Sequence, residues 1–290
     1  MVRTSVMIAG LAMSAVTLTA CAVTAGATRE APPAAQAAET HSADSEHTRQ
    51  IDLSKLDLGR PYIGRPMSDA ISLIPAPPAE GTASHARDLE ANTATLANIG
   101  NARWDLAARD ADLGLGAVPG AFSCSAGTAI SDEATPAIAN LIRRVSTDFA
   151  MSTSAVKRVY ERPRPFMLNG KPTCTPEYEP ELRGNGSYPS GHSALGYGVG
   201  LVLASIFPDR AGALVARGRA YGNSRQICNV HWLSDVEEAR VIAAATFAKL
   251  QANDGYLEDL AAAREEAAAL AETDADPQEC EAEAAALAIR

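Results

Sequence analysis

The stretch Gly186-Ser187-Tyr188-Pro189-Ser190-Gly191-His192-Ser193, running on into the apolar segment 194–207, decides how the chain is read. Gly, Ser and Pro punctuate a turn, and an uninterrupted apolar run follows it. A Gly- and Ser-rich turn that opens a helix presents free backbone N–H groups and the positive end of the helix dipole. Together these make an anion cradle. Ser190 adds a hydroxyl, Gly191 lets a ligand approach the backbone, and His192 adds a titratable proton. A plain N-cap by Ser190 or Ser193 accounts for the hydroxyls but not for His192. The apolar run is shorter than the ~18–20 residues that span a bilayer, so it reads as a core helix.

Working outward, helical patterns lie on both sides. Apolar spacing and punctuation predict helices over 84–99, 101–112, 193–206, 209–221, 233–251 and 256–271. Thr135-Pro136 is a helix start with Pro at the first position, followed by Ile138, Leu141, Ile142, Val145 and Phe149. Ser154 opens another helix, which Pro163 must end. Alternating β-branched runs are absent. Aromatics make up only 5% of the chain while Ala is abundant, which leans the same way. The expected fold is all-α, a single-domain helical bundle.

The chain has 290 residues and a net charge of −10, which excludes a broad basic nucleic-acid surface. The charge is uneven. Residues 251–290 hold eleven Asp/Glu against two Arg, while 141–180 hold seven Lys/Arg against four Asp/Glu. An anion site therefore fits the middle of the chain.

The N-terminus reads as an export signal over 1–20. Arg3 is followed by a short apolar core that ends in Leu18-Thr19-Ala20-Cys21. That ending resembles a bacterial lipobox, with Cys21 as the lipidated first mature residue; ordinary cleavage near Ala22 or Ala27 is the alternative. Residues 21–50 are rich in Ala, Thr, Ser, Pro and Glu and read as a disordered linker, in which His41 and His47 are solvated. The folded body is expected over 51–271, with an acidic tail over 272–290 that forms a solvated helix or frays. Export implies an oxidising compartment, periplasmic or cell-envelope, and a membrane contact through the lipid alone. Disulfides among Cys124, Cys174, Cys228 and Cys280 are then expected. Four cysteines allow three connectivities. Cys174 with Cys228 is the favoured pair, because two motifs draw their neighbourhoods together.

Those motifs flank the turn. Lys157-Arg158-Val159-Tyr160-Glu161-Arg162-Pro163-Arg164-Pro165 joins a helix end to a stiff Pro-bounded segment, which can aim a lysine and an arginine at one point. Ser224-Arg225-Gln226-Ile227-Cys228-Asn229-Val230-His231-Trp232-Leu233-Ser234-Asp235 places His231 and Asp235 four apart, on one face if both are helical. An Asp on one ring nitrogen fixes the tautomer and leaves the other nitrogen as a lone-pair donor. Read singly, each motif is equally a basic helix end or a surface His–Asp pair.

Together, the three resemble the signature of the type 2 phosphatidic-acid phosphatase superfamily, which includes vanadium-dependent haloperoxidases. The Gly-Ser-Tyr-Pro-Ser-Gly-His string resembles the secreted bacterial class A non-specific acid phosphatases in particular. Ser193 stands where that branch commonly has Thr. Weaker likeness covers most of 51–270, and the tail lies outside it.

The resemblance implies an all-helical phosphomonoesterase that needs no metal or other cofactor. It implies His231 as nucleophile, Asp235 as its orienting partner, and His192 as general acid and then base. Lys157, Arg164, Ser190, Gly191 and Arg225 would bind the phosphoryl oxygens. Partners would be small phosphomonoesters and inorganic phosphate, with a homo-oligomer left open. Chemistry agrees, since phosphoryl transfer depends mainly on positioning and charge neutralisation. Asp235 is expected to raise the pKa of His231, and phosphate that of His192, giving a mildly acidic to neutral working range.

Competing readings are a vanadate haloperoxidase, a lipid or pyrophosphate phosphatase, a phosphate-binding protein with a dead site, and a metallohydrolase using His192, His231 and Asp235. Trp104, Trp232 and His85 read as packing or surface residues, with Trp232 also a candidate wall of the site. Tyr188 is a candidate for the leaving-group side.

Overall fold

Pro136 occupies the first position of a long helix, as Thr135-Pro136 predicts. Its free N–H groups are satisfied from a distance: the Glu266 carboxylate accepts from Ala137 N at 3.0 Å and Ile138 N at 2.9 Å. The computed structural model describes residues 58–64, 70–270 and 275–289, and these fall in one compact unit. The export segment 1–20, Cys21 and the 21–50 linker lie outside the described residues.

The principal helices are α1 (Ala83–Thr95), α2 (Ala102–Arg109), α3 (Pro136–Ser152), α4 (Ser154–Tyr160), α5 (Gly191–Ile206), α6 (Ala211–Ile227), α7 (Leu233–Leu250), α8 (Asp254–Ala269) and α9 (Pro277–Ala288). No strand occurs among the described residues, and the fold is all-α. Short polar side chains start several helices. Thr82 accepts from His85 N, Asn101 from Arg103 N and Trp104 N, and Asn253 from Tyr256 N.

Helix α5 is the hub and packs on α6, α3 and α7. Its Leu195, Val199, Val202 and Leu203 are fully buried. Burial of each such side chain contributes about 1.5–3 kcal/mol. The α5–α6 contact is closer than ordinary side chains allow. A Cβ on Gly200 would lie 2.8 Å from the Leu214 carbonyl oxygen, and one on Gly218 would strike the Gly196 carbonyl. The short turn through Pro208–Arg210 makes α5 and α6 antiparallel neighbours. The start of α5, which carries the Gly-Ser turn, therefore meets the end of α6, which carries Arg225. Ser193 Oγ donates to the Gly222 carbonyl at 3.2 Å across that junction.

Two expectations need correction. The helix predicted over 209–221 runs on to Ile227, because the polar Ser224, Arg225 and Gln226 are buried in the protein rather than looped into solvent. Residues 277–288 form a helix, one alternative expected of the tail, but one face of it is docked rather than solvated. Helix α9 packs on α2, buries Ala286, and brings Glu283 Oε2 to 3.0 Å from Arg217 Nε. Arg217 also pairs with buried Asp110 at 2.6 Å, so this interior guanidinium has two carboxylate partners.

Disulfides join Cys124 to Cys280 and Cys174 to Cys228, with Cα–Cα distances of 5.2 and 4.7 Å. The first spans 156 residues and ties α9 to the body. A loop of that length loses much denatured-state entropy when closed, worth about 2–5 kcal/mol. Replacing Cys124 and Cys280 together by serine is expected to lower the Tm markedly, by the order of that loss. An unchanged thermal melt would show that the crosslink constrains nothing. No helix among the described residues is long and apolar enough to cross a membrane.

Candidate active site

Three helix ends converge here, and each is shaped by local sequence. Helix α4 stops at Glu161, whose φ of 41° is left-handed, and the chain then extends through Pro163 and Arg164. Lys157, in the last turn of α4, donates from Nζ to the Gly186 carbonyl at 2.7 Å and the Ser187 carbonyl at 3.3 Å. Arg164 is 2 % exposed. Its Nε donates to the carbonyls of Leu182 (2.9 Å) and Asn185 (3.1 Å), and its Nη1 to that of Val230 (3.0 Å). These contacts fix the plane of its guanidinium.

Ser190 is the N-cap of α5, and its Oγ accepts from Ser193 N at 3.2 Å. Its own N–H donates to the Asp235 carbonyl at 3.0 Å, which ties the Gly-Ser turn to α7. Gly191 follows as the first residue of α5.

His231 lies outside the helix. Helix α7 starts at Leu233 with Trp232 as its cap, so the expected shared helical face is corrected to a cap geometry. Asp235 Oδ2 turns back to accept from Trp232 N at 2.8 Å and faces His231 Nδ1 at 3.2 Å. Between α6 and His231 the chain reverses at Asn229, whose φ of 61° suits an asparagine. The buried Asn229 amide is held by Asn92 and Asn169, and Cys228 is crosslinked to Cys174. The loop carrying His231 is thus pinned on two sides.

These partners settle the His231 tautomer. A carboxylate only accepts, so Nδ1 bears the proton. Arg164 Nη1 lies 3.0 Å from Nε2, and a guanidinium only donates, so Nε2 holds the lone pair. Burial, then Arg164, Lys157 and Arg225, push the His231 pKa well below its ordinary value. The expectation that Asp235 raises it is therefore corrected: three cations and desolvation outweigh one carboxylate. His192 is also pushed well down, by burial and then Arg225, although the Ala111 carbonyl 3.1 Å from Nε2 opposes this. Because a carbonyl only accepts, Nε2 of His192 carries the proton and Nδ1 the lone pair.

Lys157, Arg164 and Arg225 all crowd one another. Burial, with Arg225, pushes Arg164 down to about 9, and burial pushes Arg225 down to about 10. Lys157 falls well below the usual lysine value through burial, Arg164 and Arg225. Arg225 is 2 % exposed, and its Nε has no hydrogen-bond partner. Its Nη1 reaches only the Cys228 sulfur, at 3.9 Å. A buried guanidinium with unspent donors beside two more cations is a site shaped for an anion. Among the described residues, no three His, Cys, Asp or Glu side chains gather as metal ligands.

The depressed histidines have a consequence for stability. Both bind protons less readily in the folded chain than in the unfolded one, where the value is about 6.5. The stability they allow is complete above about pH 6.5 and is lost as the pH falls toward their folded values. The limiting slope is about 1.4 kcal/mol per pH unit for each histidine. The Tm is expected to fall from about pH 7 to about pH 5, and inorganic phosphate in the cradle should offset the fall. A Tm flat over that range would contradict the burial of uncharged histidines.

Two residues stand elsewhere than the sequence suggests, or do more. Tyr188 does not line a leaving-group side: it is fully buried against Ile74, Val156 and Ile242, and its hydroxyl donates to the Pro75 carbonyl at 2.6 Å. Trp232 bridges two motifs, with Nε1–H donating to the Pro163 carbonyl at 2.9 Å. Sequence reasoning missed Asp88 and the role of Arg162, which stand directly behind Asp235.

Residues 137–252 match the family model described as "PAP2 superfamily". A non-specific acid phosphatase of Salmonella typhimurium is 40% identical over 194 residues, covering 67% of this chain and 78% of that protein. An acid phosphatase of Zymomonas mobilis is 35% identical over 199 residues, covering 69% of this chain and 75% of its own. A non-specific acid phosphatase of Providencia stuartii is 36% identical over 203 residues, covering 70% and 82%.

Proposed function

The chain belongs to the PAP2 superfamily and to its class A-type acid phosphatases, and from that premise we propose that it hydrolyses phosphomonoesters through a phosphohistidine on His231, without a metal. The observation that carries the reading is the His231 ring held between Asp235 at Nδ1 and Arg164 at Nε2, an arrangement that puts the Nε2 lone pair toward the cationic cluster.

Substrate phosphoryl oxygens engage Arg225, Lys157, Arg164, the Ser190 hydroxyl and the Gly191 N–H. Arg164 Nη1 then trades the Nε2 lone pair for a phosphoryl oxygen, which frees Nε2. That nitrogen attacks phosphorus, the bond to the leaving oxygen breaks, and His192 supplies a proton to that oxygen. Asp235 stabilises the positive ring that forms. A water, deprotonated by His192, attacks the phosphohistidine; the P–N bond breaks and phosphate leaves. Nδ1 of His192 is the atom left to carry the transferable proton, since Nε2–H is engaged by Ala111. A substrate dianion beside His192 raises its pKa and lets it arrive protonated in mild acid. The cluster of Lys157, Arg164 and Arg225 repels a divalent cation, which supports metal independence. The Leu18-Thr19-Ala20-Cys21 string supports export, with lipid attachment at Cys21.

Hydrolysis of p-nitrophenyl phosphate between about pH 4 and about pH 9 tests the reading. The expected result is activity that EDTA leaves intact and that is greatest on the acidic side, because His231 stays unprotonated below the ordinary histidine range. Activity abolished by EDTA and restored by a divalent metal would transfer the site to metal-assisted hydrolysis.

A further inference from the structure

Asp235 has two carboxylate oxygens, and only Oδ2 serves His231 and the Trp232 N–H. The other, Oδ1, accepts from Arg162 Nη1 at 2.7 Å. Arg162 is not one of the cradle cations. Its Nη1 also reaches Ser234 Oγ at 2.8 Å, and its Nη2 donates to Asp88 Oδ2 at 2.7 Å. Asp88 comes from α1, 74 residues before Arg162 in sequence, and is 1 % exposed. It accepts twice more, from Ser234 N at 2.8 Å on Oδ1 and from Ser234 Oγ at 2.6 Å on Oδ2.

We infer that Asp88 is a positioning residue for phosphoryl transfer: through Arg162 and the first turn of α7 it sets the orientation and charge of Asp235, and so of the His231 ring. The inference rests on the reading of His231 as nucleophile. Two physical effects carry it. The first is geometric. A carboxylate held at one oxygen can rotate about its Cβ–Cγ bond; held at both, it cannot. Arg162 closes the second oxygen, the Ser187 side chain adds a further hydrogen bond to the carboxylate, and Asp88 keeps Arg162 in place. Asp88 also satisfies the Ser234 N–H, one of the free donors at the start of α7. The helix turn that bears Asp235 is thereby fixed to α1.

The second effect is electrostatic. Arg162 and Asp235 alone would form a neutral pair, leaving little negative charge for the imidazolium that develops when His231 attacks. Asp88 supplies a second carboxylate, so the buried trio Asp88, Arg162 and Asp235 carries a net charge of about −1. In this water-poor setting that charge acts strongly on the ring. None of the three needs to touch substrate, since Lys157, Arg164 and Arg225 do that.

The test is a double-mutant cycle on kcat for p-nitrophenyl phosphate, with full-length enzyme. Asp88→Asn keeps the shape and the acceptor for Ser234. It is expected to lower kcat about 10- to 100-fold, with KM and inhibition by inorganic phosphate nearly unchanged. Asp235→Asn is expected to lower kcat further, by at least about 100-fold. The double variant should be no slower than Asp235→Asn alone, because Asp88 acts only through Asp235. Arg162→Lys, which leaves a single ammonium for two carboxylates, should show the same coupling and serves if Asp88→Asn does not fold. Effects on kcat that simply multiply, or an Asp88→Asn enzyme with normal kcat, would overturn the inference and leave the His231 reading intact. An Asp235→Asn enzyme with normal kcat would instead overturn that underlying reading.

Discussion

Replacing His231 by alanine is expected to abolish turnover while leaving phosphate binding in place. Lys157 and Arg164 are both anchored by contacts that do not involve the ring. Lys157 is held by the Gly186 carbonyl, and Arg164 by the carbonyls of Leu182, Asn185 and Val230. The folded protein should therefore still bind inorganic phosphate, within a few-fold of wild type. The loss in kcat should be about 10³-fold or more, because the two-step route disappears and water must attack directly. Calorimetric phosphate titration beside a turnover assay separates the two quantities. A variant that keeps a tenth of the wild-type kcat would remove His231 from the chemistry.

The second large effect is a trade between activity and stability at Arg225. This guanidinium is almost wholly enclosed, its Nε is unpaired, and its Nη1 reaches a disulfide sulfur at 3.9 Å. Its burial is unfavourable in the folded free enzyme and is justified by what it does to a bound phosphoryl group. Arg225→Met retains bulk and removes the charge. It should lower kcat/KM by about 10²- to 10³-fold, the usual consequence of deleting one transition-state donor. It should also raise the Tm, by about 2–4 °C for each kcal/mol of relieved burial. The stabilising effect should vanish in saturating phosphate, where the wild-type arginine has its partner. A variant that loses both activity and stability would mean that Arg225 is a structural residue.

Much of this arrangement is legible in the chain, for identifiable reasons. Helix starts at Thr135-Pro136 and Ser190 follow from capping and from Pro at the first position, which are local rules. The three motifs converge because each lies at a helix end, and α5 and α6 are brought into register by glycines at their contact. What sequence reading lacks is non-local polar pairing. Ser224 and Arg225 look like loop residues until Asp110, more than a hundred residues earlier, accepts from the Ser224 hydroxyl. Glu283 looks like part of a solvated acidic run until Arg217 is seen to face it. Asp88 is the clearest case. The buried residues of α1 are Asp88 and Asn92, while Leu89 is exposed, which reverses the usual amphipathic pattern. The helix itself is legible in the sequence. Its partners Arg162 and Asn229 are not. The direction of the His231 pKa is hidden from sequence reading for the same reason. The i, i+4 partner Asp235 is evident in the sequence, whereas two of the three cations opposing it, Arg164 and Lys157, come from another segment.

The central claim is that a phosphoryl group rests on His231 during turnover. The most direct measurement mixes enzyme with p-nitrophenyl phosphate in EDTA, quenches in alkali during the steady state, and maps the modified peptide by mass spectrometry. The account predicts one phosphoryl group per chain, stable to alkali and labile to acid, located on His231 and absent from His231→Ala. Sustained hydrolysis with no phosphoryl group on His231, or with one on another residue, would contradict it.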